Sequence, residues 1–142
     1  MVTRPAISVL KAALLAALTL WAAAGRAAPE GGIAEDRVIN QGLFVIAVAD
    51  EIRDECDTID ARMWRALVFI NKLRSKARER GYSRAEIDAY LDDEQAQDLM
   101  RARRNAYFAR HGAGDRTPES LCALGRAEIA RNSQIGYLLK AE

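Results

Sequence analysis

Apolar residues along this chain recur at steps of three and four, and nowhere do they alternate with polar ones for long enough to claim a strand. From about Val38 a first stripe takes Val45, Val48, Ile52 and Cys56. A second takes Met63, Ala66, Ile70, Leu73 and Ala77 and stops at Gly81, with Asp57, Thr58, Ile59 and Asp60 offering its N-cap. Ser83 with Glu86 forms a capping box that opens a short helix through Tyr90 or Leu91. Asp92 or Asp93 caps the next, which runs past Ala96, Leu99 or Met100, Arg103 and Tyr107 to Gly112. After the Gly112–Asp115 loop, Thr117 and Pro118 start a final helix to about Asn132, and Gln134 to Leu139 add a last turn or two. These readings give an all-α, single-domain bundle of four to six helices.

The first 27 residues are read as lying outside that bundle. Arg4 and Lys11 precede an uncharged run from Ala12 to Ala24, too short to span a bilayer, and small residues before Ala28 fit cleavage after Ala27. The chain is thus expected to be exported to the periplasm through a cleaved signal peptide, without a remaining transmembrane anchor. Residues 28–37 are expected to be a flexible lead-in and residues 38–142 the helical domain. Removing Arg4, Lys11 and Arg26 turns a balance of 21 basic and 20 acidic residues slightly acidic, which argues against a nucleic-acid partner.

Export decides how the two cysteines are read. In an oxidising compartment Cys56 and Cys122 are expected to form one disulfide, stabilising the fold by about 4 kcal/mol on the chain-entropy model. The redox alternative would show Cys-x-x-Cys spacing, which is absent. With both cysteines bridged and a single histidine, His111, no metal or cofactor ligand set emerges, although Asp50, Asp54 and Asp57 share a helical surface. His111 is expected to serve its helix C-terminus instead.

Charge is segregated along the chain. Residues 60–80 are basic and residues 83–98 acidic, and neighbouring helix faces are expected to neutralise each other, the alternative being a basic docking face. A second basic cluster, Arg101, Arg103, Arg104 and Arg110, interleaves Tyr107 and Phe108.

Four blocks, VADEIRDECD (48–57), ARMWRA (61–66), GYSRAEIDAY (81–90) and CALGRAEIARNSQIGYLL (122–139), resemble a family of short exported proteins of Gram-negative bacteria catalogued as a domain of unknown function. The resemblance implies a soluble periplasmic protein with one helical domain and one disulfide. It transfers no catalytic or binding residue.

The leading functional expectation is a non-enzymatic interaction or chaperone-like module of the cell envelope. Its candidate surface is Trp64, Val68 and Phe69 with Arg62, Arg65 and Lys72, because these apolar residues exceed what one narrow helical stripe buries. A rival is a small glycan-cleaving enzyme with Glu128 as proton donor. A third reading is a carrier of a small apolar ligand, which requires a cavity between helices. The sequence names no partner and fixes no oligomeric state.

Overall fold

The computed structural model describes residues 28–142, so the expected signal peptide lies outside the described residues. In chain order the elements are α1 (Gly32–Glu35), α2 (Arg37–Glu55), β1 (Ile59–Ala61), α3 (Met63–Glu79), α4 (Arg84–Asp92), α5 (Glu94–Arg110), α6 (Pro118–Ala130), α7 (Gln134–Tyr137) and β2 (Leu139–Ala141). The architecture is all-α, and two of its seven described helices, α1 and α7, are single turns.

The apolar stripe of α2 makes it the helix on which the others pack. Val45, Val48 and Ile52 are buried against Phe108 of α5, Leu121 and Leu124 of α6 and Ile135 of α7. The disulfide joins Cys56, at the end of α2, to Cys122 in the second turn of α6, as expected. Close backbone approach does the rest. A Cβ on Gly125 would fall 2.6 Å from Ile52, and one on Gly136 would fall 2.1 Å from the backbone oxygen of Glu128. At 125 glycine leaves room for the Ile52 and Ile59 side chains between α6 and α2, and at 136 only glycine lets α7 fold back on the backbone of α6.

Capping is as the sequence indicates for three helices. Ser83 and Glu86 form the reciprocal box of α4, Asp93 caps α5, and Thr117 caps α6 with Pro118 in its first turn. Three expectations are corrected. The lead-in at residues 28–37 carries α1, buries Ile33, and ends in Asp36, whose Oδ1 caps α2 by accepting from the Val38 and Ile39 amides. Residues 57–60 do not cap α3. That helix starts at Met63, and Arg62 before it gives no side-chain cap, because the chain first enters β1. The third correction is the pair of strands itself, antiparallel with Ile59 opposite Ala141 and Ala61 opposite Leu139. Three residues are too few to show alternation, and this ribbon is made by segments far apart in sequence.

A second, smaller core lies at the other end of α2, where Ile33, Ile39, Ala77 and Tyr82 are buried. It is tied by the other oxygen of Asp36, which accepts from Arg80 Nε at 2.5 Å and from the Tyr82 hydroxyl at 3.1 Å. Burial raises the Asp36 carboxyl, but the hydrogen bonds from Arg80, Ile39 and Tyr82 outweigh it and hold it below its ordinary value.

Candidate interaction surface

Of all the residues of α3, only Ala77 is fully buried. Phe69 packs against the main core and Leu73 against the smaller one, so the inner face of the helix is used. The outer face is not. Trp64 is 78% exposed, Met63 64% and Leu67 49%, while Val68 is half-buried. Met63, expected in the inner stripe, thus belongs to the outer one. Trp64, Leu67 and Val68 stand at i, i+3 and i+4, forming one apolar patch over the first two turns.

Two of the candidate cations are fixed beside it by the end of the chain. Arg62 donates from its amide to the Leu138 carbonyl at 2.7 Å and from Nε to the Leu139 carbonyl at 2.8 Å. The Arg65 guanidinium stacks 4.6 Å from the centre of the Tyr137 ring and donates to the Tyr137 carbonyl. With Arg53 and Lys140 these side chains rim a trough of about 590 Å³ next to Trp64, with Asp60 as the opposing charge. Phe69 and Lys72 do not join it. They line a separate groove of about 480 Å³ with Arg37, Gly42, Lys76 and Gln134.

Glu128 is wholly buried and lines none of the clefts described here. Its carboxylate accepts hydrogen bonds from the Tyr107 hydroxyl, the Arg131 guanidinium and the Ser133 hydroxyl. Burial, and then the hydrogen bond to Glu128, push the Tyr107 phenol up to about 12. The arrangement ties α5 to α6 and the turn that follows. A proton donor to a glycan would need an oxygen open to substrate, and the Glu128 side chain is wholly enclosed.

A family model described as a family of unknown function, DUF5333, matches residues 31–140. The chain belongs to the DUF5333 family. No curated protein and no solved structure matches it. The DUF5333 match begins one residue before α1 and ends inside β2, so it takes in α1, the Trp64 surface, β1 and most of β2.

The remaining charged clusters of this DUF5333 chain are largely employed. Arg53 sits between Asp50 and Asp54 at 2.9 and 2.6 Å, and no group of three metal-binding side chains occurs among the described residues. Arg101 pairs with Asp98, Arg103 stacks 4.4 Å from the Phe44 ring centre, and Arg104 meets Glu51 at 2.9 Å. His111 ends α5 with its ring 4.1 Å from that of Tyr107. Among the described residues no direct ion pair joins α3 to α4, although Arg74 and Arg78 share a polar trough with Arg84 and Asp88. No described helix is long and apolar enough to cross a membrane.

Proposed function

We propose that the protein is an exported, non-enzymatic interaction module of the cell envelope, and that its docking surface is the outer face at the start of α3. The observation that carries this reading is the exposure of Trp64 between Met63 and Leu67, beside arginines already immobilised by the chain end. A large aromatic left in water is the residue type from which interfaces draw most of their binding energy. Fixing Arg62 and Arg65 beforehand lowers the entropy lost when a partner docks. The charge of the trough selects a partner that offers an apolar segment flanked by acidic residues, as in an amphipathic helix laid along a groove.

The test places a photo-crosslinking amino acid at Leu67 and, as a control, at the exposed Glu119 on α6. Irradiation of cells followed by mass spectrometry of the periplasmic fraction should give one dominant adduct from position 67 that is absent from position 119 and lost on Trp64→Ala. Equal adducts from both positions, or none from either, would remove the docking reading. Recovery of the protein in the cytoplasmic fraction with residues 1–27 intact would remove the export reading.

A further inference from the structure

A site independent of the Trp64 surface lies on the opposite flank of α3, where α3 and α4 fail to close. An apolar cleft of about 190 Å³ enters there, floored by Ile39 and Leu43 of α2 and walled by Ile70 and Leu73 of α3 and by Ile87 and Tyr90 of α4. A cavity of about 150 Å³ lined by such residues accepts a benzene ring, so this one takes a hydrocarbon of about six to eight carbons. Arg74 stands at the cleft mouth, and Arg74 and Ile87 also line a polar trough of about 490 Å³ with Arg78, Arg84 and Asp88. The two depressions therefore run into each other.

The charges of this trough are unbalanced. Arg84 faces Asp88 at 3.7 Å, while neither Arg74 nor Arg78 takes part in an ion pair or side-chain hydrogen bond among the described residues. Arg74 therefore borders the hydrocarbon cleft itself, and Arg78, one helical turn on, borders the polar trough beside it, both without an anionic partner. The polar groups nearest the floor are already satisfied, since Tyr90 donates to Asn40 Oδ1 at 2.5 Å and Tyr82 to Asp36. Nothing polar is left inside to compete with an acyl tail.

We propose that this cleft binds a free medium-chain carboxylate, tail inward between α2, α3 and α4, with its carboxylate held by Arg74 and Arg78. The guanidinium fork suits a planar carboxylate, and the rim is open enough to admit it. The occupant is a soluble monomeric amphiphile. A bilayer would have to present its headgroups to a recess that only one chain at a time can enter.

The test is titration of the full exported chain with hexanoate, octanoate, octanol and octylamine, below their aggregation limits, followed by amide chemical shifts. Octanoate should shift amides of Leu43, Leu73, Ile87 and Tyr90 at saturable millimolar or lower concentration. Hexanoate should bind weaker by roughly three- to four-fold per missing methylene. Arg74→Gln with Arg78→Gln should weaken octanoate about ten-fold and leave octanol unchanged. Ile87→Trp, or Ala77→Leu should the first disturb the fold, should fill the cleft and abolish binding while the far-ultraviolet spectrum is kept. Equal affinity for octylamine, shifts centred elsewhere, or survival of binding in the filled variants would overturn the proposal, as would the absence of any saturable shift. Co-sedimentation with anionic phospholipid vesicles, insensitive to octanoate, would assign the arginines to a membrane surface and also overturn it.

Discussion

Asp36 and Arg80 meet at 2.5 Å with the Asp36 side chain fully enclosed, so one carboxylate caps the start of α2 and anchors the end of α3 at once. Removing it leaves four donors, the Val38 and Ile39 amides, Arg80 Nε and the Tyr82 hydroxyl, without their acceptor. Asp36→Ala should destabilise the fold by about 2–4 kcal/mol, from a lost N-cap together with a broken buried ion pair whose arginine is partly solvated. Chemical denaturation of the variant checks this. The folded carboxyl is held below its ordinary value of 3.8, so its contribution is present above that pH and is lost as pH falls through the depressed value. Below pH 4 the stability of the natural protein should therefore drop more steeply than that of Asp36→Asn.

Glu128→Gln removes the charge on which Tyr107, Arg131 and Ser133 converge, while keeping size and one acceptor. A loss on the order of 2–3 kcal/mol is expected in urea denaturation. The folded phenol of Tyr107 is raised from 10 to about 12, so the stability tied to its neutral form is complete below pH 10 and declines between about pH 10 and 12. In Tyr107→Phe that alkaline decline should shrink. A Glu128→Gln protein as stable as the natural one would show that the network is not structural and reopen the glycan-cleaving reading.

Gly136→Ala introduces a methyl 2.1 Å from a main-chain oxygen that no side-chain rotation can move. The cost should be on the order of 1–3 kcal/mol, the range for overpacking a tight contact. A thermal melt measures it. The contact closes α7 onto α6, so hydrogen exchange should rise first in α7 and β2.

Trp64→Ala separates docking from folding. With 78% of the residue in water, its truncation should alter stability by no more than about 0.5 kcal/mol. The same change should abolish the crosslink from position 67. A melting temperature that falls by many degrees would mean that Trp64 is a packing residue.

The sequence was most informative where chemistry is local. The box of Ser83 with Glu86, the Thr117 and Pro118 start, and the two cysteines all depend on neighbours or on a count, and each stands where expected. Asp36 was missed as a hub because Arg80 and Tyr82 lie 44 and 46 positions away, and nothing nearby marks it beyond its place before a helix. The strands were missed for the same reason. Periodicity also tells which residues of α3 share a face, yet not which neighbour covers that face, so the spacing puts Met63 in the inner stripe when the fold leaves it outside. The arginines of α5 resembled a binding cluster in one dimension. In three, Phe44, Glu51 and Asp98 occupy three of them.

The bridge between Cys56 and Cys122 spans the Gly112–Asp115 loop, along with everything from β1 through α5. A protease that nicks the backbone once in that loop would leave two pieces that still travel as one molecule. They would part on an electrophoresis gel only after a thiol reductant is added. A survey of intact mass, or of mobility without reductant, would count such a clipped molecule as whole or nearly so.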